Sequence, residues 1–445
     1  MSMRFLTIGL GHCGGKIANS FKALAKARKG VIVDVCAINT DKADLLTHTN
    51  IPEGNKLCIG SGRGAARDWE EGRRAAIEAR GHIEELIRRL LAPDTDIVLL
   101  TLGEGGGSGS GIAPIVAEII GDLGGECIAI ATLPFERESV KTKINAVRGL
   151  DLLYRQDALK ALICIDNDKI VAHYPHKTLT EAYEAVNKVV VETFLDLVDL
   201  AHMPSRADRI DESELSTIFR YEGFATLSNY KARSDEVEDL SSTLVDTWNS
   251  SLFADVDTRT AVGAIFGIEG PSRLFTTLQV DRVRRCFKDT LIGRDIILGI
   301  YPIERSPWVS IVGVLVGLDI PGKIRSLYEL ARREYQRHLE AVEERRMRKR
   351  RGLFEFEELE AVERPMEAPR VVEPTPPSTA MPISEKRSIL DFVGGLSGQT
   401  FREEEFRELL RGEFNLSDPE LERIIEELRY NGWIFEPRRG VIRVL

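Results

Sequence analysis

The residues best suited to do chemistry lie in the segment "GEGGGSGSG" (103–111), which carries five glycines from Gly105 to Gly111. A glycine costs about 0.5–1 kcal/mol relative to alanine inside regular structure, so their number requires a reason. Without side chains, consecutive backbone N–H groups can converge on an anion, and the helix that follows adds the positive end of its dipole. Ser108 and Ser110 can donate hydroxyl hydrogen bonds to phosphate oxygens. A tight helix–strand turn needs fewer glycines, so the segment predicts a phosphate-binding loop.

A second glycine-rich segment, "GLGHCGGK" (9–16), follows the first strand-like run of the chain. It contains the GxGxxG pattern of dinucleotide-binding loops, with Asp34 and Asp41 downstream, although this pattern is weak by itself. The segment is not a P-loop, because Ile17 replaces the serine or threonine that binds Mg²⁺. Two such loops on neighbouring strand ends favour a chain of phosphates held from both sides. An NAD(P)-dependent oxidoreductase is the alternative that depends on this segment alone.

The elements that must position these loops alternate between strand-like and helix-like runs over the first third of the chain. Apolar runs such as "VIVDVCAIN" (31–39) and "DIVLLTL" (96–102) are separated by amphipathic runs, a pattern typical of a parallel sheet covered on both faces. The run 178–201 is apolar nearly all round, which predicts a helix buried between two modules. From about residue 221, strand-like runs with short connections predict a second α/β domain with a mixed sheet.

The chain continues beyond the second domain in three parts. Residues 321–351 predict one long helix, whose final "RRMRKRR" is typical of a solvated helix end. The segment 364–388 carries six prolines and little that could pack, which predicts a linker. The runs within 389–445 resemble a winged-helix module, with Ser417 as a helix N-cap and Gly432 as a terminating residue. Its last two helices and hairpin hold eleven acids and eight arginines, which favours a protein partner over DNA.

Composition excludes several classes of protein. The chain has 445 residues, 43% hydrophobic and 29% charged, as expected of a globular protein with two or three domains. A net charge of −10 argues against a general affinity for nucleic acid or anionic membranes. Six cysteines without a CxxC pair disfavour a zinc site or a disulfide framework. The sequence shows neither a signal peptide nor an apolar run of membrane-spanning length, so we expect a cytoplasmic protein with no membrane insertion.

The segment "GGGSGSG" (105–111) resembles the signature loop of the tubulin/FtsZ superfamily, whose usual form is GGG-T/S-G-T/S-G. Other segments are similar to motifs of the same family in order and spacing: "GHCGGKIA" (11–18), "INTDKADLL" (38–46), "AARDWEEGRRAA" (65–76), "TLPFERE" (132–138), "IDND" (165–168) and "AYEAVNKV" (182–189). The first of these is most similar to CetZ-like archaeal relatives. The resemblance spans roughly residues 4–320, and the winged-helix-like module lies outside it.

The resemblance implies an α/β fold with a Rossmann-like parallel-sheet GTPase domain, a long central helix and a second α/β domain with a mixed sheet. A small winged-helix-like C-terminal module is added to this tubulin/FtsZ fold. The expected segments are the GTP-binding domain (1–177), the central helix and catalytic loop (178–220), the second domain (221–320), the long helix (321–352), a disordered linker (353–388) and the winged-helix-like module (389–445).

The resemblance also implies GTP and GDP as ligands with Mg²⁺, and it assigns no protein residue to the metal. The residues implied to bind the nucleotide are Gly11, His12, Cys13, Lys16, Asn39, Asp41, Asp68, Gly105, Gly106, Gly107, Ser108, Gly109, Ser110, Glu138, Asn167, Tyr183 and Asn187. The amides of Asn167 and Asn187 both donate and accept, which suits guanine better than adenine. Tyr183 lies one helical turn before Asn187 and would stack on the base, with a core aromatic as the alternative.

The same resemblance divides the other positions among the parts of the nucleotide. Glu138 is implied to hold the ribose hydroxyls. The α- and β-phosphates would lie over Gly11, His12 and Cys13, and the γ-phosphate and Mg²⁺ near Asn39, Asp41 and Asp68.

Two acids in "DESEL" (211–215) are the candidates for catalysis. Asp211 and Glu214 are three residues apart at the start of a helix, so both carboxylates project from one face. In the family this loop enters the nucleotide pocket of the next subunit, where its acids orient the attacking water. The alternative is that Asp211 caps the helix and Glu214 completes a capping box. Arg209 departs from the polar amide that FtsZ usually has, and the basic pair after the FtsZ ribose loop is reduced to Lys141.

These features predict a cytoskeletal GTPase that polymerises head-to-tail, with itself as partner and hydrolysis completed at the subunit interface. The winged-helix-like module would dock a protein partner, and nucleic acid is not expected. The alternative is a GTP-binding regulatory protein that does not polymerise and uses the module to bind its partner.

Overall fold

The computed structural model describes residues 2–205, 207–249, 252–291, 295–351, 383–396, 398–430, 433–438 and 440–444. The chain divides into two compact units, Met1–Leu353 and Phe354–Leu445. The part of the predicted linker before residue 383 lies outside the described residues, as does Gly432, which was predicted to end a helix.

The first unit begins with a parallel sheet. Its strands are β1 (Met3–Leu10), β2 (Val31–Asn39), β3 (Lys56–Cys58), β4 (Ile97–Gly103), β5 (Cys127–Leu133) and β6 (Leu159–Asp166). They pair in parallel in the order β3–β2–β1–β4–β5–β6. Nearly every residue of β4 and β5 is buried, which is why the sequence shows continuous apolar runs instead of alternation. The predicted parallel sheet is confirmed.

Helices cover both faces of this sheet. They are α1 (Gly11–Ala25), α2 (Lys42–Leu46), α3 (Trp69–Glu78), α4 (Arg80–Leu90), α5 (Ser108–Asp122), α6 (Val140–Tyr154) and α7 (Asn167–His173). Side chains of β4 alternate between two hydrophobic cores: Leu100 packs in one core with Ile112 of α5, and Leu99 packs in the other with Phe21 of α1. This alternation follows from the period of two residues in a strand.

The central helix, α8, extends over Leu179–His202 and is followed by α9 (Glu212–Ile218). It begins at a capping box in which Thr178 accepts from the Glu181 N–H and the Glu181 side chain accepts from the Thr178 N–H. Its buried face, including Phe194 and Val198, packs in one core with strands from both parts of the unit. The predicted central helix is present and its second half is buried, whereas Leu179 and Val189 of its first half are exposed.

The second part of the first unit extends the same sheet. Its elements are β7 (Gly223–Arg233), α10 (Leu240–Asn249), β8 (Gly263–Gly270), α11 (Thr277–Thr290), β9 (Asp295–Pro302) and β10 (Trp308–Leu318). Strand β10 pairs antiparallel with β7 and β8, and β8 pairs in parallel with β9. Strand β7 also pairs in parallel with β6, so the two predicted α/β domains share one sheet of ten strands. The predicted mixed sheet is therefore the continuation of the parallel one.

The first unit ends in α12 (Gly322–Arg351), at the place of the predicted long helix. Its first turns are anchored by the buried side chains of Lys323, Ile324 and Leu327, whereas residues 336–341 and 343–349 are exposed. Among the residues that the structure describes, none of the helices combines the length and apolar character that a bilayer span requires.

The second unit consists of α13 (Ile383–Gly394), β11 (Thr400–Arg402), α14 (Glu403–Phe414), α15 (Asp418–Tyr430), β12 (Ile434–Arg438) and β13 (Val441–Val444). The three strands form an antiparallel sheet in the order β11–β13–β12. Ser417 precedes α15 and donates its N–H to Glu420 over 3.0 Å, as a residue in a capping box does. Helix α13 begins inside the segment assigned to the linker, because Ile389 and Val393, one turn apart, are buried in the core of this unit.

Candidate nucleotide-binding site

A cavity of about 810 Å³ lies at the carboxyl ends of four parallel strands. Its wall includes Leu10 at the end of β1, Gly103 at the end of β4, Thr132 near the end of β5, and Asn167 directly after β6. In open α/β sheets, ligands bind outside the carboxyl ends of the strands, where the helices begin. The topology therefore brings both glycine-rich segments to one place.

The glycines of the segment 103–111 let the loop pack closely and leave the first amides of α5 uncovered. A Cβ on Gly107 would lie 2.7 Å from both the N and the O of Asp68, and a Cβ on Gly109 would lie 2.7 Å from the O of Gly103. Gly106, in contrast, faces open space, with the nearest atom 3.9 Å from such a Cβ. Helix α5 starts at Ser108 behind Gly107, which has no side chain to cap it, so the first N–H groups are free to bind an anion.

The two serines of this loop have different surroundings. Ser108 lines the cavity, and its Oγ lies 2.6 Å from Oγ1 of Thr40. Ser110 is fully buried, and its Oγ accepts a hydrogen bond of 3.0 Å from the N–H of Gly105. Ser110 therefore holds the loop in shape, whereas Ser108 presents a hydroxyl to the cavity.

The first glycine-rich segment forms the start of α1 and touches the second. Gly11 has a φ of 68°, and a Cβ there would lie 2.8 Å from the N of Gly109. His12, Cys13 and Lys16 line the cavity, and Nδ1 of His12 lies 2.9 Å from Asp44. Burial raises the pKa of the Cys13 thiol, so this cysteine is a neutral part of the wall. All six cysteines of the chain are free thiols.

The loop that follows β2 is fixed by its own side chains. Asn39 is buried, donates to Asp44 over 3.1 Å and accepts from the Asp41 N–H over 3.2 Å. Asp41 caps α2 by accepting from the Ala43 N–H at 2.8 Å, and it also lines the cavity. Asn39 therefore positions Asp41 from behind the wall.

The other end of the cavity has the character of a base pocket. Tyr183 and Asn187 lie one turn apart on α8, beside the apolar side chains of Ile170 and Val186. Asn167 is 9% exposed, and its Oδ1 is buried without a hydrogen-bond partner among the described residues. An unpartnered buried amide oxygen costs free energy that a ligand with an N–H group would recover. These residues fit a purine that donates hydrogen bonds.

A model of the tubulin/FtsZ family, GTPase domain, matches residues 4–175. The tubulin-like protein CetZ of Pyrococcus horikoshii is 30% identical over 369 residues, which is 80% of this chain and 98% of that relative. The chain belongs to the tubulin/FtsZ family. It is a GTPase of that family, and both glycine-rich segments lie in its GTPase domain.

Solved structures agree with this tubulin/FtsZ fold. CetZ1 from Haloferax volcanii, a GDP-bound monomer, matches with a TM-score of 0.65 at 24% identity, over 75% of this chain and 100% of that one. CetZ2 from Haloferax volcanii, a GTPγS-bound protofilament, matches with a TM-score of 0.65 at 25% identity, over 76% of this chain and 99% of that one. The ten-stranded mixed sheet with its central helix is therefore the tubulin/FtsZ fold.

The tubulin/FtsZ resemblance had implied a set of nucleotide residues, and the structure divides that set in two. The members that line the cavity are Gly11, His12, Cys13, Lys16, Asp41, Gly106, Gly107, Ser108, Gly109, Asn167, Tyr183 and Asn187. The members that do not line the cavity are Asn39, Asp68, Gly105, Ser110 and Glu138. Asp68 caps α3 through the Glu70 N–H at 3.0 Å, and Glu138 accepts from the Phe135 N–H at 3.1 Å. These residues shape the loops that carry the others.

Two arginines of the cavity wall were missed by the sequence analysis. Arg63 and Arg67 line the cavity together with Lys16, and three cations suit a triphosphate. Ala66 and Arg67 have positive φ values of 48° and 54°, a backbone conformation that non-glycine residues rarely adopt. The available signal was the pair of arginines in "GRGAAR" (62–67), a segment rich in glycine and alanine.

Glu104 was missed as well. It lines the cavity and is 6% exposed, and both carboxyl oxygens are buried without a hydrogen-bond partner among the described residues. Burial raises the pKa of this carboxyl to about 8, and the nearby Ser110 hydroxyl opposes the shift. Glu104 is therefore predominantly neutral at pH 7 and adds no full charge beside the phosphate loop.

The two candidate catalytic acids lie away from this cavity. Asp211 accepts from the Glu214 N–H at 2.7 Å, and Glu214 accepts from the Asp211 N–H at 2.9 Å, so the capping box weighed as the alternative is present. Hydrogen bonds from the Glu214 N–H and the Ser213 hydroxyl lower the pKa of Asp211. Glu214 lines a second cavity of about 390 Å³ together with Arg209, which donates to the Ala201 carbonyl at 2.7 Å.

Proposed function

We propose that this GTPase binds GTP in the large cavity and polymerises head-to-tail, with Asp211 and Glu214 of one copy completing the site of the next. The observation that carries the proposal is the separation of the two parts of the site. The phosphate loops line one cavity, whereas Glu214 lines another, with Asp211 held beside it in the capping box. A single chain therefore carries the two parts of a catalytic site at separate places, and two copies are needed to bring them together.

The acids that do line the nucleotide cavity are engaged in other roles. Asp41 caps α2, Asp44 accepts from Asn39 and contacts His12, and Glu104 is kept neutral by burial. Each of these carboxyls either holds a loop in place or lacks a charge at pH 7. Because these carboxyls are engaged in this way, we infer that the group that activates water comes from another copy of the chain.

The chemistry of the wall supports GTP and GDP as ligands. The free N–H groups of α5 and the Ser108 hydroxyl would hold phosphate oxygens, and Lys16, Arg63 and Arg67 would offset their charge. At the other end, the unpartnered Oδ1 of Asn167 would accept from guanine. Mg²⁺ would take most of its ligands from phosphate and water, with Asp41 as the carboxylate of the wall available to it.

Head-to-tail assembly follows from the use of two different surfaces. A contact that joins the nucleotide cavity of one copy to the acids of another is heterologous, and such contacts propagate into filaments when they do not close. CetZ2 from Haloferax volcanii, a protein with the same fold, forms a GTPγS-bound protofilament. In phosphoryl transfer, positioning and charge stabilisation supply most of the rate. The capping box fixes the direction of both carboxylates, which supports a positioning role for them.

The test combines sedimentation with a phosphate-release assay on the full chain with GTP and Mg²⁺. We expect GTP-dependent pelleting by the unaltered protein, and Glu214→Ala should pellet while its turnover falls by about 100-fold. Glu212→Gln is the matched control, because Glu212 lies on the same helical turn but contacts His202 of its own chain at 3.3 Å. A protein that stays monomeric with GTP at tens of micromolar, or a Glu214→Ala variant with unchanged turnover, would contradict the proposal.

A second candidate function arises from the C-terminal unit. Its order of helix, strand, helix, helix and two strands resembles that of a winged-helix module, and it has a hydrophobic core of its own. The exposed face of α15 presents Asp418, Glu422 and Glu426, the first two of which also pair with Arg411 and Arg407, so a protein partner is favoured over DNA. In this alternative the protein binds GTP without polymerising, and the unit docks that partner.

A further inference from the structure

A buried lysine at the start of α12 contacts loops of the nucleotide site. Lys323 is 9% exposed, and its ammonium pairs with Asp168, with Asp166 at 3.5 Å and with Glu136 at 3.4 Å. Asp166 and Asp168 flank Asn167. Glu136 belongs to the segment 132–138, whose Glu138 is implied to hold the ribose hydroxyls. One ammonium group therefore links both loops at the base end of the cavity.

The three acids also hold one another in place. Asp166 caps α7 by accepting from the Asp168 N–H at 2.9 Å, and Asp168 accepts from the Glu136 N–H at 3.1 Å. Asn167 is the first residue of α7, so its direction depends on this cap. The orientation of the unpartnered Asn167 amide is thus set by a network whose cation is Lys323.

Charge keeps this network intact at neutral pH. Burial by itself lowers the pKa of Lys323, but its hydrogen bond to Asp168 and the charges of Asp166 and Glu136 outweigh burial, and the pKa is raised. Burial also raises the pKa of Asp166, which a hydrogen bond from Asp168 and the charge of Lys323 oppose. Removal of one partner from a buried ion pair is costly, because the other charge stays buried and unpaired. Loss of the Lys323 ammonium would therefore disturb both aspartates.

Attachment of α12 to the GTPase domain does not require Lys323 alone. Lys143 of α6 is 1% exposed and donates to both carboxyl oxygens of Glu334 on α12, at 2.7 Å and 2.6 Å. This second buried lysine secures the same helix without contacting the loop that carries Asn167. A substitution of Lys143 therefore weakens the attachment of α12 without touching the base pocket, and it can be compared with a substitution of Lys323.

We propose that Lys323 is a positioning residue for base recognition, which sets the Asn167 amide through Asp166 and Asp168 and so makes helix α12 part of the selectivity for GTP over ATP. The inference rests on the proposed binding of GTP in this cavity. It assigns to an element beyond the second domain a role in choosing the nucleotide.

A double-mutant cycle on the full chain tests this role, with GTP and ATP affinities measured by calorimetry. We expect Lys323→Met to weaken GTP binding by about tenfold and to leave ATP binding unchanged. In the Asn167→Ala background the same substitution should cause no further loss, because its effect passes through that amide. Lys323→Arg, which retains the charge, should recover most of the affinity. Lys143→Met is the matched control and should lower the melting temperature without changing the GTP/ATP ratio.

The other possible results contradict either the positioning role of Lys323 or the proposed function. Equal weakening of GTP and ATP by Lys323→Met, or a full additional loss of GTP affinity in the Asn167→Ala background, would overturn the positioning role. If Lys323→Met does not fold, combining it with Asp168→Asn removes the carboxylate that pairs most closely with Lys323, and an unchanged GTP/ATP ratio in that protein would also overturn the role. An unaltered protein that shows no preference for GTP would instead contradict the proposed function.

Discussion

A carboxyl group beneath the phosphate loop makes this GTPase sensitive to pH. Glu104 is packed against Ser110 of α5 and Gly149 of α6. Burial raises the pKa of Cys164 on β6, and the charge of Glu104 raises it further. Its pKa of about 8 lies well above the ordinary value of 4.5. Between these two values the folded chain keeps a proton that the unfolded chain has lost, so this group makes the protein less stable as pH rises through that interval.

We therefore expect Glu104→Gln to be more stable than the unaltered protein at pH 8 and equally stable near pH 4. Above pH 8 the ionised carboxylate would also repel the triphosphate, so GTP affinity should fall several-fold between pH 7 and pH 9 in the unaltered protein and stay level in Glu104→Gln. Denaturant titrations and nucleotide titrations at each pH measure the two effects. Parallel pH profiles for both proteins would show that another group titrates.

At the scale of elements, a tyrosine of β9 is one of the residues that hold the loop between α8 and α9. The hydroxyl of Tyr301 donates to the Leu200 carbonyl at 2.8 Å and accepts from the Ile210 N–H at 3.2 Å. Tyr301 is 2% exposed, and Gly299 leaves room for it, since a Cβ there would lie 2.8 Å from the hydroxyl. Because Ile210 precedes Asp211, this hydroxyl fixes the start of the proposed catalytic segment.

We expect Tyr301→Phe to lower turnover in the filament several-fold and to leave GTP affinity unchanged. The free energy of unfolding should fall by about 1–3 kcal/mol, because a buried N–H and a buried carbonyl lose their partner. Phosphate release, calorimetry and thermal unfolding distinguish these effects. Tyr328→Phe, at a position that is 50% exposed, is the control with no expected change. Unchanged turnover in Tyr301→Phe would show that the loop keeps its position without this hydroxyl.

The elements themselves were largely predictable from the sequence, because buried parallel strands such as β4 and β5 leave continuous apolar runs. The pairing of β6 with β7 was not, since the register that places Ala161 opposite Gly223 leaves no local signal in either strand. Arg63 and Arg67 escaped for a similar reason. Their place in the cavity wall depends on a bend at Ala66 and Arg67 with positive φ values. Alanine and arginine rarely adopt this conformation, so the sequence gives no sign of it.

At the scale of the whole molecule, the two units have separate hydrophobic cores. We expect a protein lacking residues 353–445 to bind GTP and to pellet with GTP as the full chain does, because the elements of both cavities lie before residue 353. Sedimentation at matched concentrations measures this. Loss of assembly on truncation would give the C-terminal unit a part in the filament, and loss of a bound basic protein alone would support the docking role.

The separation of the two cavities has a consequence for the ends of the proposed polymer. Every interior nucleotide would be covered by acids from the adjoining copy, but the copy at one tip would retain a triphosphate that no neighbour covers. The copy at the opposite tip would present Asp211 and Glu214 to solvent, with no nucleotide beside them. Such a polymer would be polar. Growth at one tip would depend on the nucleotide already bound there, and growth at the other on the nucleotide that an arriving copy brings.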